Sequence, residues 1–523
     1  MPRAVAGTVK TMTAADVGGG HGSAYRSLVV SVAVIGSGFG GVAAAVRLKQ
    51  AGVRDLVLFE KGDDVGGVWR ENSYPGAACD VPSHLYSLSF APKPDWSRRF
   101  APQGEILQYL RDVARDFDVL RHVRPRTEVL SASFDEQRGR WSLGLSDGTV
   151  HEADVVIAAT GQLSRPRPPA VPGLERFTGR LFHSAAWDHG HRFDGERVAV
   201  VGTGASAIQF VPRIAPATAR LTVFQRSAPY VIPKRDHEYG RLALAAFAHV
   251  PGALRASRYA NYWNNELRSL GFNTDPRLLA GVAVRYRRYL RRVVPDPVLR
   301  AKVTPTDPLG CKRILISNEW YPALQLPQVE LCTEPVAEVR ERTVVSADGA
   351  EREVDTIVLG TGFAATEFLV PMQVRGRGGA LLHDRWRRGA SAYLGTTVPG
   401  FPNLFVLYGP NTNLGHNSIL FMVEAQVGYV VQAVQRLARG DVRWMDVRAE
   451  RAARFDAWVQ ERTGQTVFAG GCTSWYLTPD GRNTQNWPAS TLTFRRRLWR
   501  LDLDDYELAP AVPARPPLRA VPA

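Results

Sequence analysis

Two glycine patterns, and the charged residues that follow them, have the types and spacing to do chemistry. Gly36-x-Gly38-x-x-Gly41 and Gly202-x-Gly204-x-x-Ala207 suit tight turns that bring backbone close to a pyrophosphate at a helix N-terminus. Alanine is permitted at the third place. Twenty-four residues beyond the first glycine stands Glu60 in one case and Arg226 in the other. An acid there hydrogen-bonds a ribose 2′-hydroxyl, whereas an arginine suits a 2′-phosphate. The pair predicts two different dinucleotides, an FAD-type ribose at the first turn and NADP(H) at the second. Between the turns, Phe177-Thr178-Gly179-Arg180-Leu181-Phe182-His183-Ser184-Ala185-Ala186-Trp187-Asp188 offers His183 as a candidate for proton transfer.

Such turns need a buried parallel strand before them and a helix after. Residues 31–35 are almost wholly apolar, 42–48 read as a helix, and 55–60 as a second strand that ends in the acid. Residues 197–201 and 220–226 repeat the scheme. Gly66-Gly67-Val68-Trp69 puts Gly67 and Trp69 where a flat cofactor would pass. Asp80, in the small and apolar stretch 74–82, is a buried carboxylate in need of a partner or, on local evidence, a turn aspartate. Read alone, Lys312-Arg313 is surface charge. Residues 154–161 recur as 355–362, each a strand ending in Thr-Gly, which predicts a chain that leaves one domain and returns.

The expected fold class is α/β, with two Rossmann-like dinucleotide-binding domains (FAD and NADP) and a helical insert. Its divisions are a disordered leader over 1–27, the first part of the FAD domain over 28–163, and an NADP domain over 164–384. The NADP domain includes a helical insert of about 237–305, expected to wall a substrate pocket. The rest of the FAD domain covers 385–509, and a fraying Pro/Ala/Arg-rich tail covers 510–523.

The 523 residues are 45% hydrophobic and 22% charged, ordinary for a globular protein. The net charge of +15 is mostly scattered arginine without a nucleic-acid motif, so a solvated surface is expected rather than a nucleic-acid partner. No apolar run reaches the ~18 residues of a membrane span, and no signal pattern opens the chain. Cys79, Cys311, Cys332 and Cys472 are far apart with no Cys-x-x-Cys, so neither a redox disulfide nor a zinc site is expected, and a reduced cytoplasmic setting fits. His183, His189 and His191 lack companion ligands, so no metal is expected.

Phe177-x-Gly179-x-x-x-His183-x-x-x-Trp187-Asp188 resembles, at every defined position, the Asp-ending fingerprint of the type I Baeyer–Villiger monooxygenases, in the flavin-containing monooxygenase superfamily. The stretches 66–69, 74–80, 224–226, 312–313 and 360–363 agree, and the likeness runs from about Val32 to Trp499. Residues 409–416 and 474–483 look like the hydroxyacetophenone and terpenoid branches rather than the cyclohexanone branch. The resemblance implies bound FAD, NADPH as reductant and dioxygen as co-substrate. A C4a-peroxyflavin would then insert oxygen beside a ketone carbonyl to give an ester or lactone. It implies that Arg313 stabilises negative charge, that Asp80 holds Arg313, and that Lys312 and Trp475 contact NADP. Within this reading His183 is no base, and 177–188 fix a hinge between domains. The ketone is expected to be bulky and apolar, and the oligomeric state is open. N- or S-oxygenation and a flavin-binding protein without oxygenation are the alternatives.

Overall fold

The structure is a computed structural model that describes residues 28–511 except Thr473. The expected leader, and the tail beyond Ala511, lie outside the described residues; Pro510, expected in the tail, closes the strand Tyr506–Pro510.

Two five-stranded parallel sheets carry the chain. The first runs Leu404–Val406, Val155–Ala158, Leu28–Ile35, Val53–Phe59, Val123–Arg124. The second runs Val329–Cys332, Arg220–Phe224, Arg197–Val201, Thr356–Leu359, Arg180–His183. Their central strands are covered on both faces, which is why they read as unbroken Val/Ile/Leu runs. Register then sets what emerges at the carboxyl edge. Ile35 pairs with Phe59 and Ala158, so Gly36, Glu60 and Ala159 leave the first sheet together. Val201 pairs with Phe224 and Leu359, so Gly202, Gln225 and Gly360 leave the second together. The repeated Thr-Gly strands therefore occupy the same place in two different sheets, each beside a glycine-turn strand.

The return to the first domain comes earlier than expected. Gln373–Arg375 already pairs with Val129–Asp135 in a four-stranded sheet of the first domain, and Phe368, Met372 and Trp386 share one apolar core with Ile35 and Trp141. The expected boundary at 385 is corrected to a point before Phe368. No sequence signal marks it, because the crossing is made by buried packing rather than by a polar linker.

The insert consists of helices Arg241–His249, Ala253–Glu266, Ala280–Val293 and Pro297–Val303. It is braced on the first domain. Glu266, 6% exposed, accepts hydrogen bonds from Thr491 N (2.8 Å), Thr491 Oγ1 (2.7 Å) and Asn417 Nδ2 (2.6 Å). Arg258 Nη1 donates to the carbonyls of His84 (3.0 Å) and Ser87 (2.9 Å).

At the first turn the backbone closes on itself. A Cβ on Gly41 would stand 1.9 Å from Gly36 O, so even a methyl group must displace backbone. Overpacking of this kind costs about 1–3 kcal/mol. Gly41→Val is expected to weaken flavin retention at least about tenfold, read as visible flavin absorbance per protein after dialysis; full retention would show that this turn does not form the site.

Candidate active site

The carboxyl edges of both sheets open on one cavity of about 2060 Å³. A single-ligand site is about 300–1,000 Å³, so this one has room for two dinucleotides. Both glycine turns, Glu60, Trp69, Asp80, Arg226, Arg313 and Trp475 line it.

At the first turn Gly36 has φ +100°, and a Cβ there would stand 2.7 Å from Ala159 O. A Cβ on Gly38 would meet Gly67 Cα at 3.5 Å, so the two loops touch through glycines and leave backbone facing the cavity. Trp69 donates from Nε1 to Tyr86 Oη (3.2 Å), which fixes its ring at the wall. Glu60 is 3% exposed. It accepts from Ser37 N (3.0 Å), Ser37 Oγ (2.7 Å), Gly62 N (2.9 Å) and Arg70 Nη2 (3.0 Å). Burial raises its pKa, but these donors outweigh burial and hold it below the ordinary carboxylate value. Ser37 and Arg70 were not singled out in the sequence. Four donors fill the acceptor capacity of one carboxylate, so a ribose hydroxyl has to share with or displace one of them. Arg70, the one flexible donor, is the simplest to move.

The second turn has the same build with more space. A Cβ on Gly202 would stand 2.5 Å from Gly360 O, Gly204 faces open space, and Ala207 is fully buried. Arg226 is exposed, and among the described residues no acid lies within ion-pair distance of it. Lys312 Nζ donates to Ser227 Oγ (3.0 Å) and pairs with Asp307 (2.7 Å). Trp475 packs on Tyr476 with ring centroids 4.4 Å apart. The residues present thus fit both cofactors: glycine cradles for two pyrophosphates, a buried acid at one ribose and cations at the other.

Between the two turns Arg313 meets Asp80 from the other domain, Nη2 at 2.5 Å and Nε at 3.2 Å from the same oxygen. A third of each side chain stays exposed, and that third faces the cavity. Burial would raise the Asp80 carboxyl, but the Arg313 charge and hydrogen bonds bring it below its ordinary value. Asp80 in turn raises Arg313 well above its ordinary value against the effect of burial, with Tyr476 and Tyr408 adding. Burial raises both phenols, Tyr476 to about 12, and Arg313 opposes the rise. Asp80 is therefore a paired carboxylate, and the turn and surface-charge readings of Asp80 and Lys312-Arg313 are corrected.

The fingerprint lies outside this cavity. Gly179 lets its strand approach, since a Cβ there would stand 2.3 Å from Asp355 O. Phe177 packs on the core beneath the second sheet. His183 is buried at the end of a strand; its Nδ1 accepts from Ala185 N (3.1 Å), its ring meets Phe363 edge-on, and burial lowers its pKa. Trp187 packs against Phe210 and, across the domain boundary, Tyr74. Asp188 accepts from Gly190 N (3.0 Å) in a turn. His189 bonds Ser73 and His191 bonds Glu196, and no metal-ligand cluster exists among the described residues.

Two expectations are corrected here. No residue of the insert lines this cavity, so it does not wall the two-nucleotide site; Leu279, Ala280 and Ala283 instead edge a separate pocket of about 400 Å³. Cys311 and Cys472 form a disulfide across 161 residues, which sequence spacing alone could not reveal.

Two dinucleotide folds facing one cavity, with an arginine–carboxylate pair between them, define a nucleotide-dependent oxidoreductase of the two-domain flavoprotein class. Residues 30–244 match the family model described as flavin-binding monooxygenase-like. A Baeyer–Villiger monooxygenase of Streptomyces coelicolor is 45% identical over 93% of this chain and 94% of its own, and one of Pseudomonas aeruginosa is 42% identical over 91% of each. Among solved structures, OTEMO in complex with FAD and NADP superposes with a TM-score of 0.85 at 27% identity, covering 92% of this chain and all of its own. A steroid monooxygenase bound to NADP gives 0.81 at 32%, covering 92% of this chain and 99% of its own. The chain belongs to the Baeyer–Villiger monooxygenases.

Because the Asp80 carboxyl is depressed in the fold, its stabilising effect is full above the ordinary carboxylate pKa and fades as acid protonates it. The difference in thermal midpoint between wild type and Asp80→Asn is expected to hold from about pH 8 to pH 5 and to shrink below about pH 4. A difference undiminished at about pH 3 would show that the pair is not what Asp80 contributes.

Proposed function

We infer that this protein is a flavoprotein Baeyer–Villiger monooxygenase that uses NADPH and dioxygen to insert one oxygen beside a ketone carbonyl, giving an ester or lactone. The observation that carries the reading is the Asp80–Arg313 pair, set between a glycine turn with Glu60 at the next strand's end and one with Arg226 just past the next strand's end. FAD and NADPH held there would supply hydride transfer and activation of dioxygen.

The chain's part is to hold, orient and neutralise charge. Gly36, Gly38 and Gly41 would admit the FAD pyrophosphate, Glu60 would hold its ribose, and Gly67 and Trp69 would flank the flat ring. Gly202, Gly204 and Ala207 admit the NADP pyrophosphate. Arg226, with Lys312, would hold the 2′-phosphate, and Trp475 would cover the ribose. Arg313 is the catalytic residue: a guanidinium keeps its proton at any working pH, so it stabilises negative charge on oxygen throughout. Asp80 engages Nε and Nη2, which leaves Nη1 for the cavity. Asp80 is therefore a positioning residue. Phe177, Gly179, His183, Trp187 and Asp188 form the hinge. An apolar ketone is supported by the Leu414, Ile419, Leu420 and Val423 side of the cavity; the argument for great bulk loses the insert that carried it. A cytoplasmic setting fits the need for NADPH, and no helix among the described residues is long and apolar enough to cross a membrane. Family membership leaves heteroatom oxygenation and a non-oxygenating role without an observation in their favour.

Arg313→Ala is expected to keep FAD and lower ester formation about 10²–10³-fold or more, measured as product per flavin with a ketone panel; lactone at the wild-type rate would remove Arg313 from the mechanism. Arg226→Ala is expected to raise the KM for NADPH by about 10–150-fold, the loss of one charged hydrogen bond of about 1.5–3 kcal/mol. The KM for NADH should change little, and parallel changes would show that Arg226 does not read the phosphate.

A further inference from the structure

The disulfide joins two segments that both serve the cavity. Cys311 is fully buried two residues before Arg313, and Cys472 is 5% exposed three residues before Trp475 and at the cavity wall. Their Cα atoms are 6.2 Å apart, within the span that a disulfide bridges. Little else holds these segments together. Among the described residues, no hydrogen bond or ion pair joins 470–477 to 308–315. The hydrogen bonds of 470–477 stay within the C-terminal segment, Leu477 N to Ser474 O and Thr484 N to Tyr476 O among them. Cys311 N is bonded to Pro308 O, Lys312 to Ser227 and Arg313 to Asp80. The other contacts are packing without hydrogen bonds, Ile314 against the cluster of Phe468 and Tyr476 and Gly470 against Pro308 and Cys311.

We propose that Cys311 and Cys472 are a reversible redox modification site whose bond clamps the Trp475 segment onto the Arg313 loop and so sets how firmly NADP(H) is held. This rests on the reading of the cavity as an NADP site. Bridging thiols inside cells are usually redox-sensing rather than permanent. In the bonding step the two thiols together lose two protons and two electrons to hydrogen peroxide; its O–O bond breaks, two waters leave, and the Sγ–Sγ bond forms. Hydrogen peroxide is the product of NADPH-fed flavin that meets dioxygen without a ketone, so the oxidant arises when the enzyme runs idle. A dithiol reverses the step by exchange, supplying two electrons and two protons. Cys472, at the cavity wall, is the sulfur within reach of either reagent. Cys79 and Cys332 are free and buried, and they serve as an internal reference.

The test uses the FAD-loaded enzyme. Purified without reductant and titrated in denaturant, it should show two thiols, four after a dithiol, and two again once the reduced enzyme has met hydrogen peroxide. Peptide mass spectrometry should find Cys311 linked to Cys472. Four thiols after peroxide would overturn the site. NADP+ is then titrated against oxidised and reduced wild type. Reduction is expected to weaken binding at least about fivefold and to raise peroxide formed per NADPH, with FAD content unchanged. The double variant Cys311→Ser/Cys472→Ser should match the reduced form and ignore dithiol, although the wild-type comparison decides even if that variant does not fold. Equal affinity in both redox forms overturns the clamp alone, while no NADP+ binding in any form overturns the cavity reading together with the proposal.

Discussion

One charge pair between two domains sets the terms for the rest of this structure. Asp80 belongs to the loop after the first glycine turn and Arg313 to the loop that follows the insert, 233 residues away. A guanidinium in a cavity walled by Tyr408, Trp475 and Trp69 would be costly without a counter-charge, because burial disfavours its charged form. Asp80 removes that cost and fixes the orientation of the guanidinium plane. The pair exists only when both domains are docked, so the domain contacts serve the site directly. Tyr74 Oη donates to Gln209 Oε1 (3.0 Å) and Gln209 Nε2 to Ala78 O (3.0 Å), which bind the Asp80 loop to the helix Ala207–Ile214 of the second domain.

The insert answers the same requirement from the other side. It lies in the chain between the second turn and Arg313, and slack there would become slack in the guanidinium. Glu266 is buried with three donors beside it, and His416 Nε2 stands 3.6 Å away. Burial raises the Glu266 pKa, but His416 and the hydroxyl and amide donors bring it below its ordinary value. A satisfied buried carboxylate is specific in a way that apolar packing is not, since one geometry meets all its donors. The insert is thus a strut between domains, with Tyr262, Tyr286 and Leu290 buried while Leu242, Tyr259 and Trp263 stay exposed.

What could be read in the sequence was what local rules govern. A strand, glycines at fixed offsets, a helix and a charged residue at a fixed distance are all constrained within thirty or so residues; Glu60 leaves its sheet level with Gly36, and Arg226 leaves the other one residue past Gln225, which is level with Gly202. Ser37 and Arg70 were missed because serine and arginine near a glycine turn carry no spacing signal of their own. The Asp80–Arg313 pair came only through family likeness, as local reading gave a turn aspartate and surface charge. The Cys311–Cys472 bond, the early return of the chain before Phe368 and the bracing role of the insert were not legible. Each depends on which distant segments pack together, and neither periodicity nor composition encodes that.

The fingerprint stretch shows how a segment can mark a chemistry without touching it. Gly179 is needed because the strand Arg180–His183 runs against Asp355, and Trp187 because it fills the aromatic joint of Tyr74, Phe182, Phe193 and Phe210. Tyr74 comes from the first domain and the others from the second, so Trp187 sits where any relative rotation of the domains must repack side chains. His183 has the same character: a buried imidazole with its Nδ1 committed to Ala185 N stiffens the strand end beside Phe363, which does line the cavity. On the proposed hinge and Arg313 roles, residues at this joint are constrained as strictly as those that meet the substrate, because an error of an ångström at Arg313 is an error in where charge is stabilised. A fingerprint far from the cavity and a charge pair inside it are on this argument two ends of one constraint, and the rigidity of the joint matters as much as the identity of the arginine.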